Sequence, residues 1–490
     1  MTDFTKLFPL FSVEMGASIL AAYAVLVLCL TFYYARGYNT NKEGYLVARR
    51  GVGYFQGALS VGAAWVWAPG MFISAQQAYQ NGLVGLFWFT IGNFLTLFLF
   101  GYFAKLLRER KPDGFTVAGY FKERFSPRVQ ALISIEMGIL AVCAFAINVL
   151  AGSKSVEVLT GINYNLVTLF LAGLALIYAV GNGLKASVIT EVFKLSVLWA
   201  GLAILVPSAI YSAGGFDVVL QGLGGITGKG NNIFGTDFAT GVFMGVGFVT
   251  FVGHMGGPWG DNSFYQRAFA IEEQHVRKAF WTGACIFLFI PVMSGMLGFL
   301  AAGLKYTIPA NLVGYTNVIT VGSLLPSWCS MIYLFILFAG LVSVLDSQLS
   351  SAANIAGHDV YERFGSEDSS SISYARIGML LLVLAGLIMA NWPGMTLQTI
   401  FLFFGIMRAC VWLPIMLSIW SDSITERGIF WGILSAFLIG FPLYVYGQYW
   451  GGGKDAVFAG TMLAVFGSGF LSWAISFADR NRNHIAATEA

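Results

Sequence analysis

The stretch "AAWVWAPGMFISAQQ", residues 63–77, lies inside a long apolar run and decides the fold. It places two tryptophans around one valine, continues with Pro-Gly, and ends on two glutamines. A helix that only crosses a membrane has no local reason to carry this pattern, because proline removes a backbone donor and interrupts the helix. The stretch therefore indicates a membrane helix that is broken for a purpose.

The composition is that of an all-α integral membrane protein. Of 490 residues, 57% are hydrophobic and 10% are charged, whereas a soluble chain carries about 25% charged residues. Lipid leaves only helices and closed barrels able to satisfy their backbone groups. Apolar runs long enough to cross the hydrocarbon core predict about thirteen transmembrane helices, near residues 13–34, 53–80, 83–107, 127–151, 163–182, 186–211, 239–262, 278–303, 326–353, 375–391, 395–420, 428–447 and 456–478.

Lysine and arginine alternate between the two sets of loops. Segments 35–52 and 105–128 are strongly basic, whereas the other set holds only Lys154, Lys229, Lys305 and Lys454. The positive-inside rule places the basic loops in the cytoplasm. We therefore expect a multi-pass cell-membrane protein with its N-terminus outside and its C-terminus in the cytoplasm.

Several function classes are disfavoured. No soluble domain is inserted or appended, which argues against a receptor or a sensor kinase. The four histidines (His254, His275, His358 and His484) are too scattered to suggest a metal cluster, and no nucleophile constellation is apparent. The sequence therefore predicts no enzyme, no organic cofactor and no resident metal.

A second apolar run is also interrupted, at "GHMGGPWGDN", residues 253–262. Counted from the run at 53–80, the two interrupted helices are the first and the sixth of a ten-helix set. In transporters built from inverted five-helix repeats, broken helices at such matching positions bind ions and substrate near the midplane. Ordinary proline kinks are the alternative, and the matching positions favour the transporter.

Charged side chains inside a membrane are functional candidates by default, because each costs about 2.5–3.5 kcal/mol at a helix centre. Glu191 and Lys194 lie three residues apart and have a simpler interpretation as a neutralising pair. Arg408 pins the bundle or binds an anionic group, and Glu136 is expected to be a buried carboxyl. Asp346 is flanked by hydroxyls at one helical face, the kind of oxygen set that a hard cation prefers, although small residues there also permit close helix packing.

Four segments resemble the sodium/solute symporter family, which includes sodium-coupled proline, sugar, sialic acid and monocarboxylate transporters. They are "SVGAAWVWAPGMF" (60–72), "GNGLKASVITEVFK" (181–194), "FYQRAFAIEEQHVRKAF" (264–280), with a Gln-Arg-Ala turn, and "AGLVSVLDSQLSSAANIAGHDVYERF" (339–364). Within the family, "AAWVWA" and the run "VGLFWFTIGNFLTLFLFGYFAK" (84–105) most resemble the urea and polyamine branch.

The resemblance implies a leucine-transporter-type fold of two inverted five-helix repeats. One membrane domain would span residues 1–490, with an additional helix at 13–34, the repeats at 53–211 and 239–420, and two C-terminal helices at 428–478. It also implies a sodium site between the first and eighth core helices. Matched residue by residue, its ligands are the carbonyls of Ala63, Val66 and Gly340 and the hydroxyl of Ser343.

This sequence departs from the family at the next ligand, where Val344 replaces a hydroxyl residue. Asp346 and Ser347 lie within a turn of Val344 and are expected to compensate. A family aspartate in the fifth core helix is matched by Glu191. We expect Glu191 and Asp346 to form an acidic pair that helps to bind or release sodium, or that carries a proton instead.

The resemblance further implies a substrate pocket beside the ion, with contacts matched to Trp65, Pro69, Gly70 and the stretch from His254 to Trp259. Gln398 is the nearest polar candidate on the tenth core helix, and Gln76 and Gln77 are expected in the outer vestibule. Walls made by Trp65, Trp67 and Trp259 suit a small planar or cationic solute better than a sugar, whose hydroxyls each need a partner. Urea, a small amide or an amine is the leading expectation, while Arg408 in the pocket favours a carboxylate.

The sequence therefore predicts a sodium-coupled symporter of a small polar solute that works by alternating access. Two alternatives stay open: a proton-coupled symporter of the same fold, and a solute-gated channel or sensor built on this scaffold. The partners are the solute, sodium and the lipid bilayer, with no nucleic acid, and the sequence does not indicate an oligomeric state.

Overall fold

The computed structural model describes residues 8–35, 42–366 and 370–489, and nearly all of their regular structure is helical. Helices α1 to α10 are Val13–Ala35, Lys42–Val47, Tyr54–Trp65, Ala68–Arg110, Val117–Arg124, Pro127–Thr160, Tyr164–Ser212, Phe216–Gln221, Asp237–Val242 and Phe248–Met255. Helices α11 to α21 are Asn262–Ala270, Val276–Gly303, Thr316–Leu324, Ser327–Ile355, Tyr361–Phe364, Ser371–Ala390, Leu397–Trp420, Glu426–Ser435, Phe441–Tyr449, Gly453–Met462 and Ser468–Glu489. Short π-helical segments join α9 to α10, α14 to α15, α18 to α19 and α20 to α21.

Ten helical segments within the described ranges are long and apolar enough to cross a membrane, and two shorter apolar helices accompany them. Two of the helices are longer than one crossing requires. Helix α4 has 43 residues and is interrupted at Gly82, whose φ is +66°, and α7 has 49 residues, so that each exceeds twice the hydrocarbon thickness at about 1.5 Å per residue. The predicted membrane class is confirmed, and the count of thirteen crossings stays a prediction.

The first helix break lies two residues before the Pro-Gly pair. Helix α3 ends at Trp65 and α4 begins at Ala68, so that Val66 and Trp67 form the break. The break was predicted at Ala68-Pro69-Gly70 and therefore lies slightly earlier in the chain than predicted. Proline lies in the first turn of α4, where its missing N–H is not needed for helical hydrogen bonding.

The second break lies at the predicted place, but the chain after it differs from the prediction. Helix α10 ends at Met255 and α11 begins at Asn262, where the carboxylate of Asp261 accepts a hydrogen bond from the Ser263 N–H at 2.9 Å. The Gln-Arg-Ala motif lies within α11, so the predicted turn there is wrong. A polar residue that caps the new helix start explains why it resumes after so short an interruption.

Glycine lets the two breaks and their neighbours approach closely. A methyl group at Gly253 of α10 would lie 2.7 Å from the Cα of Gly405 on α17, and one at Gly256 would lie 2.8 Å from the Arg408 carbonyl. Small residues are how membrane helices reach such distances. Helix α17 is thereby held directly against the broken segment.

The basic loops meet at one face of the molecule, which we call the basic face. Arg50 donates to the carbonyls of Asp113 and Gly114, and Lys122 pairs with Glu362. Arg36 lies outside the described residues. The clustering agrees with loops that share one side of a membrane.

Candidate functional site

An aromatic pocket lies where the two helix breaks meet α17. Trp67 from the first break packs edge-on against Phe404, with ring centroids 5.2 Å apart, and its ring centroid lies 5.8 Å from that of Phe401. The ring centroid of His254, on α10, lies 6.2 Å from that of Trp67 and 5.4 Å from that of Phe401. The space between these residues has no room for a water molecule, so the pocket is closed in this conformation.

Trp65 lies next to the pocket, with its ring centroid 6.3 Å from that of Trp67, and it is fixed from three sides. Its indole Nε1 donates to the Asn93 carbonyl at 3.2 Å, and its ring packs edge-on against Phe264 at 5.2 Å. A side chain at Gly257 would overlap the edge of this ring. The unwound second break can pass this close to Trp65 only because glycine occupies that position.

Arg408 extends into the aromatic pocket. Its guanidinium carbon lies 3.5 Å from the centroid of the Phe404 ring and 5.0 and 5.5 Å from those of Trp67 and Trp65. Its Nη2 lies 3.8 Å from a carboxylate oxygen of Asp261 at the end of the second break. A planar cation is thus held against aromatic faces with one carboxylate at its edge, an arrangement that cation–π attraction stabilises.

Several buried polar atoms around the pocket have no hydrogen-bond partner. They are Trp67 Nε1, Thr250 Oγ1, Arg408 Nε, Asn93 Oδ1 and both carboxyl oxygens of Glu136. A Cβ at Gly260 would lie 3.1 Å from Glu136 and 3.4 Å from the Arg408 side chain, so Glu136 faces the second break. Because unpartnered buried polar atoms are costly, this set offers a ready group of donors and acceptors to a small polar solute.

The structure brings together four of the eight residues predicted for substrate binding: Trp65, Trp67, His254 and Arg408. It places Trp259 apart from them, between Phe100 and Phe103, whose ring centroids lie 5.1 and 4.9 Å from it. Pro69 and Gly70 lie in the first turn of α4, and a methyl group at Gly70 would lie 3.4 Å from Phe287.

Gln398 lies at an open vestibule of about 650 Å³ on the face opposite the basic face. Its amide accepts a hydrogen bond from Gln76 at 2.9 Å, and both residues line this vestibule. Gln77 instead accepts a hydrogen bond from Asn81 at 2.7 Å. Helix α17 therefore runs from Gln398 at the vestibule, through Phe401 and Arg408 at the pocket, to its other end at the basic face.

The predicted ion ligands on α14 face the start of α4. A methyl group at Gly340 would lie 2.9 Å from the side chain of Met71, three residues after the start of α4. The hydroxyl oxygen of Ser343 is buried and has no hydrogen-bond partner. The carbonyl of Ala63 accepts the Val66 N–H at 3.1 Å, which leaves an oxygen lone pair. Among the described residues no cluster of three or more His, Cys, Asp or Glu side chains could hold a metal ion.

Glu191 and Asp346 each face a cation of the chain itself. Glu191 forms an ion pair with Arg267 of α11, and their side chains are 0% and 1% exposed. Arg267 also donates to Ser60 at 2.9 Å and to Ser347 at 2.7 Å. Asp346 forms an ion pair with Lys194. The structure therefore pairs each predicted acidic group with a base, instead of placing two uncompensated carboxylates together.

Sequence reasoning missed three residues that position the site. Asn148 of α6 accepts a hydrogen bond from the Ala68 N–H at 2.8 Å and so caps α4 at the first break. Asn93 contacts both ring nitrogens of His254 at 3.1 Å. The sequence predicts a turn at Arg267, which instead lies within helix α11. The sequence feature that could have identified the two asparagines is a polar side chain within an apolar run.

The described arrangement agrees with comparisons to known proteins. The profile of the Sodium:solute symporter family matches residues 45–436. The urea-proton symporter DUR3 of Oryza sativa subsp. japonica is 23% identical over 415 residues, which cover 78% of this chain and 57% of that protein. The high-affinity choline transporter 1 of Caenorhabditis elegans is 22% identical over 467 residues, covering 88% and 78%.

The chain spans 52 to 61% of the length of three urea-transporter relatives from rice and fission yeast. Among solved structures, a sodium-coupled sialic acid symporter superposes with a TM-score of 0.76 at 16% identity, covering 94% of this chain and 97% of that one. The nucleobase-cation symporter Mhp1 superposes with a TM-score of 0.60 at 14% identity, covering 88% and 95%. These similarities confirm the predicted leucine-transporter-type fold, and the relatives are transporters, not enzymes.

Proposed function

The chain belongs to the Sodium:solute symporter family, and on that premise we propose that it is a secondary active transporter that couples inward movement of sodium to uptake of a small planar polar solute. Urea is the leading candidate, followed by a small amide or an amine. The observation that carries the proposal is the closed aromatic pocket at the meeting point of both helix breaks, lined by unpartnered polar atoms.

The solute class is supported by the shape and chemistry of the pocket. Trp65, Trp67 and Phe404 offer flat ring faces, and the guanidinium of Arg408, itself planar, already lies among them. The unpartnered atoms are few, which suits a solute with a handful of donors and acceptors. A sugar would leave several hydroxyls unpaired at a cost of about 1–3 kcal/mol each.

Sodium coupling is supported by the oxygens where α14 faces the first break. A hydroxyl of Ser343 without a partner, with the carbonyls of Ala63, Val66 and Gly340, forms the neutral oxygen set that an alkali cation accepts. Asp346, Ser347 and Glu191 belong in this proposal to the neighbouring charge network and not to the first coordination sphere. A monovalent cation moving inward releases about 2.3 kcal/mol per 100 mV, which suffices to drive uphill uptake of a neutral solute.

Proton coupling is a second candidate, favoured by Val344, which provides no hydroxyl at the ion site. The rice relative that matches this chain is named a urea-proton symporter. The buried Lys194–Asp346 pair contains two groups able to exchange a proton. Sodium-dependent uptake that is unchanged by pH would exclude this candidate.

The proposed cycle is alternating access between two repeats, residues 53–211 and 239–420, within one membrane domain. The vestibule with Gln76 and Gln398 would face outside and the basic face the cytoplasm, in accord with the positive-inside rule. The N-terminus would then lie outside and the C-terminus inside the cell membrane. Because the pocket is closed while the vestibule is open, the conformation resembles an occluded state approached from outside.

A ligand screen tests the proposal directly. The purified protein is mixed with urea, amides, amines, amino acids or carboxylates, with and without sodium, and its melting temperature is measured. A planar amide or amine should raise the melting temperature more in sodium chloride than in N-methyl-D-glucamine chloride. Trp67→Leu should abolish the shift, whereas Trp328→Leu, which changes a side chain that is 59% exposed, should keep it. Stabilisation by a sugar, or a shift that survives Trp67→Leu, would contradict the proposed pocket.

A further inference from the structure

Lys194 and Asp346 form a salt bridge within the membrane-spanning core, and neither residue lines the aromatic pocket. Lys194 lies on α7 and Asp346 on α14, and their side chains are 5% and 2% exposed. The ammonium group donates to Oδ2 of the carboxylate. Burying an unpaired charge at this depth costs several kcal/mol of free energy, so each of these two charged groups needs the other as its counter-ion.

The charges around this pair cancel within a small volume. Glu191 is neutralised by Arg267, and Asp346 is neutralised by Lys194. Among the described side chains of this network, the charges of the two acids and the two bases therefore sum to zero. Removing either base would leave one buried negative charge for an external cation to balance.

Asp346 and Ser343 still present oxygens that nothing satisfies. Oδ1 of Asp346 and the hydroxyl of Ser343 are buried and have no hydrogen-bond partner. The two residues are three positions apart on α14 and so lie on neighbouring parts of one helix surface. A carboxylate is a ligand that a hard cation accepts, and the hydroxyl oxygen of Ser343 has two lone pairs, so it can serve this position as well as the first sodium site.

We propose that Lys194 is a resident cation, whose ammonium group occupies a cation-binding position at Asp346 and thereby limits the chain to one transported sodium ion per cycle. The inference rests on the proposed function for the first sodium site, at Ser343 and the first helix break. It adds that a second site exists in the chain's own oxygens and is permanently filled by a side chain. Replacing Lys194 with a neutral residue should therefore open that site to sodium.

A merely structural salt bridge makes a different prediction. Its loss would destabilise the protein equally in any monovalent salt, because no ion would replace the ammonium. A resident cation, in contrast, can be replaced by a free cation of suitable size. The identity of the salt is thus the variable that separates the two roles.

The test measures radioactive sodium bound per purified chain by scintillation proximity, together with the melting temperature in sodium chloride and in N-methyl-D-glucamine chloride. The wild type should bind one sodium ion, and Lys194→Gln should bind two and be stabilised by sodium but not by N-methyl-D-glucamine. The double variant Lys194→Gln, Asp346→Asn should return to one ion. Lys194→Arg, which keeps the charge, should also bind one.

Three results would overturn the inference: two sodium ions on the wild type, no additional ion on a folded Lys194→Gln variant, or an additional ion that persists after Asp346→Asn. If Lys194→Gln cannot be purified in either salt, Lys194→Met takes its place with the same expected count, and failure of both neutral variants to fold in sodium would overturn the inference as well. A different result would contradict the proposed function itself: a wild type that binds no sodium. The difference of one ion between Lys194→Gln and the wild type is then still measurable.

Discussion

Replacing Arg267 with methionine should destabilise the protein more than any loss of a surface charge. The side chain is 1% exposed and its guanidinium forms the ion pair with Glu191. It also donates to Ser60 at 2.9 Å, to the Ser263 carbonyl at 3.0 Å and to Ser347 at 2.7 Å. These contacts tie α3, α7, α11 and α14 together between the pocket and the basic face.

The expected magnitude follows from what the substitution leaves behind. The Glu191 side chain is 0% exposed, so without Arg267 its carboxylate, which also accepts hydrogen bonds from Ser60 and Ser347, would stay buried as a charge or would have to take up a proton. Removing one partner of a buried ion pair costs about 3–5 kcal/mol. At about 1.4 kcal/mol per tenfold, the folded-to-unfolded ratio should fall roughly 10²- to 10⁴-fold.

The assay is a double-mutant cycle on the detergent-purified protein, read as the midpoint and free energy of denaturant unfolding. Glu191→Gln added to Arg267→Met removes the stranded charge and should restore at least half of the lost stability. Arg427→Met is the matched control, because its ion pair with Asp479 at 3.1 Å is made by a side chain that is 65% exposed. Its loss should cost about 0–1 kcal/mol. If Arg267→Met is no worse than this control, or if the two core substitutions simply add, the buried network does not have the role assigned to it.

Three further substitutions address the helix breaks and the ion site. Gly257→Ala should abolish transport, because the new methyl group overlaps the Trp65 ring, whereas Gly138→Ala, with no atom within 4 Å, should leave uptake of labelled solute unchanged; equal uptake by both variants would contradict the close packing. Val344→Thr supplies a hydroxyl at nearly constant volume and should lower the sodium concentration that gives half-maximal solute binding, and a higher concentration would contradict the ion site. Asn148→Leu removes the cap of α4 and should lower the free energy of unfolding by about 0.5–2 kcal/mol, measured by denaturant titration, and no loss would mean that the cap is not needed.

The class and fold of the protein were readable from the sequence because a bilayer imposes strong rules on composition. Runs of apolar residues had to be helices, and the Pro-Gly and Gly-Gly-Pro interruptions marked the two broken ones. The exact position of the first break was wrong, since proline starts a helix as readily as it ends one. In α11 a short polar helix inside the protein, with Arg267 on it, looked like a loop.

Residue roles were predicted less well than positions. Trp65, Trp67, His254 and Arg408 converge because both breaks and α17 carry them to one depth, but Trp259 on the same break points into a different aromatic group. The partners of Glu191 and Asp346 lie 76 and 152 positions away along the chain. Spacing within a helix shows which face carries a charge, and it does not show which distant helix brings the opposite charge.

An uptake assay in proteoliposomes tests sodium-coupled solute transport most directly. Vesicles containing the purified protein receive labelled urea, and then the other planar solutes found in the ligand screen, under an inward sodium gradient with the pH held equal on both sides. We expect the solute to accumulate above its external concentration, and we expect this accumulation to collapse when sodium is equalised and to be lost in the Trp67→Leu variant. Flux that only equilibrates the solute would indicate a channel, binding without flux would indicate a sensor, and accumulation driven by a proton gradient without sodium would contradict sodium coupling.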